Sequence, residues 1–155
     1  MSTTVRLFCM AWLAAVALLS GCSTVNSVVP PSTDLDFKVS KQVNPDPSGR
    51  ASPLVVRIYE LSSRSVFDSQ DFFALYDNPD QVLSQDMLSK DELVLEPGSK
   101  KTVTLRLDRK TRYIAVMAAF RDIENARWRD VVVADPEGYD DFDVNIEKLS
   151  ITLRD

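Results

Sequence analysis

The sequence predicts an all-β fold, a two-sheet antiparallel β-sandwich that carries a small helical insertion. Three observations predict it. Apolar and polar residues alternate with a period of two in segment after segment from Leu35 onward. Clusters of Pro, Gly, Asn and Asp punctuate those segments at short intervals. The period of two lapses once, between Ser62 and Leu88, into three- and four-residue spacings. Seven or so short strands with frequent turn signals point to a sandwich rather than to a parallel sheet with crossover helices.

The first strand places Leu35, Phe37, Val39 and Val43 on one side and Asp36, Lys38, Ser40 and Gln42 on the other, with Lys41 as the break. Asn44-Pro45-Asp46-Pro47-Ser48-Gly49-Arg50 then reads as a loop, because two prolines and a glycine exclude continued pairing. Leu54, Val56 and Ile58 face one way in the next strand. In the insertion, Ser69 is read as the N-cap of a short helix over 70–77, and Asn78-Pro79 as a second start with Pro at the first helical position. Glu96-Pro97-Gly98-Ser99 has the Pro-Gly centre of a type II turn between two further strands. Residues 113–120 are apolar on both faces, which predicts a central strand covered on each side. A strand over 127–133 follows. The last apolar stretch, 144–153, switches parity between Ile146 and Leu149, which predicts a bulge or bend near Glu147-Lys148.

Ahead of the sandwich stands a different kind of segment. One basic residue, Arg6, precedes an apolar run from Leu7 to Leu19 that is too short to span a bilayer but has the length of a secretory hydrophobic region. It ends in Leu19-Ser20-Gly21-Cys22, the pattern of a bacterial lipoprotein cleavage box. Residues 1–21 are therefore read as a signal peptide cut between Gly21 and Cys22. In lipoproteins of this pattern the matching cysteine is acylated, and two or more chains give a stable anchor where one gives only reversible binding. Residues 22–33 form a lipidated tether closing in Pro30-Pro31, able to reach roughly 35 Å when extended. The sandwich domain occupies 34–155, with its insertion at about 65–84. Ser23 after the cysteine favours the outer membrane.

Composition narrows the chemistry. Without residues 1–21 the chain holds 17 basic residues against 23 acidic ones, a net of −6. That balance disfavours nucleic acid and anionic surfaces as partners and leaves the acyl chains as the membrane contact. Cys9 leaves with the signal peptide and Cys22 is acylated, so no disulfide braces the domain and an apolar core must hold it. The sequence has no histidine, which removes Ser-His-Asp and Cys-His catalysis and His-ligated zinc.

Four constellations bear on chemistry. Asp135-Pro136-Glu137-Gly138-Tyr139-Asp140-Asp141-Phe142-Asp143 is the densest acidic run, but it lacks EF-hand spacing and reads as a solvated loop; no metal or other cofactor is expected. Asp140 and Asp141 form an adjacent carboxylate pair of the kind an acid/base hydrolase needs, with no further motif beside them. Arg127-Trp128-Arg129-Asp130 and the cluster Phe72-Phe73-Ala74-Leu75-Tyr76 read first as packing, and otherwise as binding patches.

The run Pro53-Leu54-Val55-Val56-Arg57-Ile58-Tyr59-Glu60-Leu61, then Phe67 and Asp71-Phe72-Phe73-Ala74-Leu75-Tyr76, resembles the TssJ family, the outer-membrane lipoproteins of type VI secretion systems. The resemblance continues through Leu95-Glu96-Pro97-Gly98, Ala118-Ala119-Phe120-Arg121-Asp122 and Arg127-Trp128-Arg129. It implies a transthyretin-like sandwich and a scaffolding role without enzymatic activity. The implied partner is the periplasmic C-terminal region of the inner-membrane protein TssM, with TssL joined indirectly. It also implies that the loop between the first two strands, with Asn44, Pro45, Asp46, Pro47 and Arg50, contacts TssM. The competing readings are a periplasmic lipoprotein that binds a ligand or glycan, and a carboxylate hydrolase; the first would need exposed aromatics in a concave site.

Overall fold

A computed structural model describes residues 30–155, so the signal peptide, Cys22 and all of the tether before Pro30 lie outside the described residues. Residues 31–155 form one compact unit. Its strands are β1 (Ser32–Val39), β2 (Leu54–Leu61), β3 (Met87–Leu95), β4 (Lys100–Leu105), β5 (Tyr113–Ala118), β6 (Arg129–Val133), β7 (Tyr139–Ile146) and β8 (Ile151–Arg154). They make two four-stranded sheets, ordered β4-β1-β7-β8 and β3-β2-β5-β6. Five of the pairings are antiparallel, and β1·β7 is parallel.

Between the sheets lies the larger core, built from Leu35, Phe37, Leu54, Val56, Ile58, Ile114, Val116, Phe142, Val144, Ile146 and their neighbours. A second core covers the outer face of the β2/β5 sheet, where Tyr59, Leu61, Ala115 and Met117 meet Phe67, Phe72, Leu75 and Leu83 of the insertion. This third layer explains why β5 is apolar on both faces: one face packs on the opposite sheet and the other on the helices. Each large side chain taken fully out of water here contributes about 1.5–3 kcal/mol.

The insertion holds three short helices: α1 (Ser65–Ser69), α2 (Phe72–Asp77) and α3 (Pro79–Leu83). Ser69 ends a helix instead of capping one. Asp71 is the cap of α2, its side chain accepting from the Ala74 N–H at 2.9 Å. The helix α1 has no cap signal in the sequence, and its local support is limited to an Arg64–Asp68 ion pair one turn apart and a Ser69 hydroxyl that donates to the Val66 carbonyl at 3.0 Å. What holds it is Arg129 on β6. That guanidinium donates at 2.6 Å to the carbonyls of Phe67, Asp68 and Gln70, and it lies 4.4 Å from the ring centroid of Trp128. Burial lowers the Arg129 pKa, and the group stays charged. Arg129→Ala is expected to lower unfolding free energy by about 1–3 kcal/mol, since charge-assisted bonds to three carbonyls are lost. Hydrogen exchange should rise first at the amides of α1; uniform protection there would show that the helix is held by something else.

At the far end of the chain the parity switch is a bend, at Lys148 and Leu149 between two strands, and not a bulge within one. β7 stops at Ile146, the Glu147 N–H donates to the Ser150 carbonyl at 2.8 Å, and β8 returns alongside. The irregularity in a ladder falls elsewhere, between Glu60 and Leu61 of β2.

Candidate partner-binding surface

Strand register sorts the loops between the two ends of the sandwich. Thr33 pairs with Leu105 and Ser32 with Tyr139, so the start of β1, the end of β4 and the start of β7 share the end at which the chain enters the domain. The opposite end gathers the β1–β2, β3–β4, β5–β6 and β7–β8 loops. The candidate residues Asn44, Pro45, Asp46, Pro47 and Arg50 all sit in the first of these, about 26 Å along β1 from the chain's entrance at about 3.3 Å per residue.

These four loops are stapled to one another. The Gly98 N–H donates to the Ser40 carbonyl at 3.2 Å, Asn44 N–H to the Lys148 carbonyl at 3.0 Å, and Arg127 N–H to the Leu149 carbonyl at 2.9 Å. Gly98 is required where it stands: its φ is +75°, and an added Cβ would lie 3.0 Å from Lys41 Cγ. Asn44 is the centre of the array. It is 3% exposed, its side-chain nitrogen donates to the Pro53 carbonyl at 2.9 Å, and its side-chain oxygen accepts from the Arg121 N–H at 2.8 Å. Its φ of 49° is left-handed, a conformation that Asn tolerates better than most residues. Asn44 therefore positions the loop from inside, while the rest of the set lies further out.

Asp46 organises that outer part. Its backbone N–H donates to the Arg50 carbonyl at 2.8 Å, and its carboxylate accepts from the backbone N–H groups of Ser48 at 2.9 Å and Arg50 at 3.0 Å. The Arg50 Nε adds a further bond at 3.0 Å. The Arg50 backbone N–H is the largest cause holding the Asp46 pKa below the ordinary carboxylate value, with burial acting against it and the Arg50 side chain and Ser48 N–H assisting. A depressed pKa means the clamp is fully made above the ordinary carboxylate range and lost only as pH falls through the lower, folded value. At neutral pH the loop thus presents Pro47 and an 81% exposed Arg50 side chain in a fixed arrangement. Proline and a pinned arginine lose little freedom on binding, which suits a contact site.

Phe72 and Leu75 are buried, and Tyr76 stacks on Phe72 with centroids 5.2 Å apart beneath the Arg57 guanidinium; Phe73 alone in this cluster points out, 60% exposed. Trp128 packs against both cores and meets Phe72 edge to face at 5.3 Å. Arg127 pairs with Asp130 at 2.9 Å, and Asp130 in turn accepts from the Leu153 N–H. The acidic run is a loop only as far as Gly138, because Tyr139 opens β7. Asp140 and Asp141 are successive strand residues and point to opposite faces, which parts the two carboxyl groups. Asp140 accepts from the Asp135 N–H at 3.0 Å. Among the described residues no cluster of carboxylates and thiols has the arrangement of a metal site. No described helix is long and apolar enough to cross a membrane.

Known proteins match this architecture and sequence. A family profile described as "Type VI secretion lipoprotein, VasD, EvfM, TssJ, VC_A0113" matches residues 31–149. The type VI lipoprotein TssJ1 of Pseudomonas aeruginosa is similar at 31% identity and a TM-score of 0.78, over 81% of this chain and 96% of that one. A chain in a structure described as a type VI membrane complex is 26% identical with a TM-score of 0.73, over 82% of this chain and all of that one. Serratia marcescens Lip, described as a membrane-bound component of the type VI secretion system, shares the fold at 23% identity and a TM-score of 0.75, over 82% of this chain and 98% of that one. A comparison with curated proteins gives no match.

Proposed function

This chain belongs to the type VI secretion lipoprotein family that includes TssJ, and from that membership we propose that it is an outer-membrane-anchored scaffold. It grips the periplasmic C-terminal region of TssM with its four-loop end. Acyl chains on Cys22 hold the entrance end at the membrane, TssL is reached only through TssM, and no substrate is turned over. The likeness to a chain in a structure described as the TssM C-terminal domain from EAEC, at 27% identity, supports an association with TssM-type partners.

The observation that carries the proposal is polarity: the chain enters at one end of the sandwich, and the prearranged Asp46-Arg50 loop stands at the other. A tethered body whose exposed, rigid loop is turned away from its own anchor is built to hold something across the periplasm. The reading as a binder of small ligands or glycans has less support, because of its three aromatics Phe72 and Tyr76 are spent on packing and Phe73 alone is exposed.

The test is capture of a purified periplasmic TssM fragment by the mature chain without acyl groups. Arg50→Ala is expected to weaken capture about tenfold or more, the effect of truncating an arginine that serves as a hot spot. Asp46→Ala should do the same by freeing the loop. Wild-type affinity in both variants would move the contact to another loop of that end, and failure of the wild-type chain to bind would end the proposal.

A further inference from the structure

The overall negative charge hides a strongly basic segment. Residues 100–112 hold six basic residues, Lys100, Lys101, Arg106, Arg109, Lys110 and Arg112, against the single acid Asp108. Thus six of the 17 basic residues of the mature chain fall within 13 positions. All six are exposed, and among the described residues none forms an ion pair with a carboxylate. Lys38, Arg50, Arg57, Arg64, Lys90 and Arg127, by contrast, each have one.

The β4–β5 loop in this segment is also built rather than loose. Glu60 of β2, only 8% exposed, places its Oε2 where it accepts from the Asp108 N–H at 3.1 Å and the buried Thr111 hydroxyl at 2.9 Å. Asp108 then accepts from the Lys110 N–H at 2.8 Å and, through its carbonyl, from the Thr111 N–H at 2.9 Å. Arg112 is committed to the carbonyls of Arg109 and Thr111. A buried carboxylate thus fixes a tight turn from which Arg106, Arg109 and Lys110 project into solvent.

Register puts this turn at the entrance end. Leu105, the last residue of β4, pairs with Thr33, one residue into β1, so the turn begins beside the point where the tether joins the domain. The acidic stretch Asp135 to Glu137 shares that end and begins beside Arg112, whose carbonyl accepts from the Ala134 N–H at 3.0 Å, but it runs on to β7, whereas the basic turn leaves from β4, two strands away at the edge of the β1 sheet.

We infer that Arg106, Arg109 and Lys110 form a foot that rests on the anionic phospholipid headgroups of the membrane holding the lipid anchor. The contact leans the domain toward its β4 edge, lifts the acidic stretch away, and points the four-loop end outward. The attraction is local, since exposed charges are screened within about 8 Å at physiological salt, so it depends on the side chains that project from the turn itself. The inference rests on the lipid-anchored reading above, but its test does not need the anchor.

The mature chain without acyl groups, which retains the whole compact unit and both of its cores, would be sedimented with vesicles of phosphatidylcholine alone or with one-third phosphatidylglycerol. Binding is expected only to the anionic vesicles and should fall steeply as salt is raised. A triple substitution, Arg106→Gln, Arg109→Gln and Lys110→Gln, should weaken it about fivefold per charge, on the order of 100-fold in all. Lys41→Gln with Lys148→Gln, at the other end, should leave it unchanged. Equal binding to neutral vesicles, no binding to anionic ones, or an equal loss in the distal variant would each overturn the inference. Capture of the TssM fragment by the triple variant reports on the other end, so failure of the foot and failure of the scaffold reading are distinguishable.

Discussion

Replacing Cys22 by serine is expected to release the protein from the membrane while leaving the sandwich intact. The variant loses the thiol that would carry the diacylglyceryl group, and with it the multiple chains that separate stable anchoring from marginal binding at an association constant of about 10⁴ per molar for one chain. Residues 31–155 form a compact unit in which β1 starts at Ser32, ten positions downstream, and both cores are made of later side chains. Radiolabelled palmitate should therefore mark the wild-type chain and not the variant. The variant should fractionate with the soluble periplasm, melt at the wild-type temperature, and still capture the TssM fragment. Retention in the membrane fraction without label would defeat the anchoring role. Loss of the melting transition would mean that the N-terminal stretch takes part in folding.

The division between local and long-range contacts marks what could be read from sequence. The sandwich was legible because its signals are local. Leu35, Phe37 and Val39 alternate and are buried, Gly98 takes the left-handed position that a Pro-Gly turn demands, and the doubly apolar 113–120 lies between two layers. What escaped depends on contacts across long separations. Helix α1 exists because Arg129, about sixty residues later, binds its last carbonyls. Its own residues carry no cap to announce it. The parallel pairing of β1 with β7 joins segments about one hundred residues apart, and a period of two reveals burial but not the neighbour's direction. Tyr139 to Asp143 looked like a loop because its polar residues outnumber its apolar ones. The strand is revealed only by its parity, with Phe142 and Val144 turned inward against Leu35 and Phe37.

The candidate surface was half legible for the same reason. Two prolines and a glycine around Asp46 identify a loop, and Asp46 with Arg50 four residues on is a local pair. Nothing near Asn44 in sequence says that its side chain serves Arg121, 77 positions away. An asparagine before a proline looks like an ordinary turn residue. The structure makes it the member that joins the β1–β2 loop to the β5–β6 loop, and so the member whose loss should do most harm.

Asn44→Ala is expected to lower unfolding free energy by about 3 kcal/mol or more. Two partners are stranded, the Arg121 N–H and the Pro53 carbonyl, and a partly buried group left without its bond costs about 1–3 kcal/mol. Alanine must also hold a φ of 49°, which costs a residue with a Cβ roughly 1–2 kcal/mol. Asn44→Gly separates the two contributions, because glycine adopts that backbone freely while making neither side-chain bond. Denaturant unfolding should therefore rank wild type above Asn44→Gly and Asn44→Ala below both. Affinity for the TssM fragment should fall in both variants, because the Asp46-Arg50 loop is then no longer fixed against its neighbours. A glycine variant as stable as wild type would remove the two hydrogen bonds from the account. A destabilised variant with undiminished affinity would show that the partner does not depend on how Asn44 sets the loop.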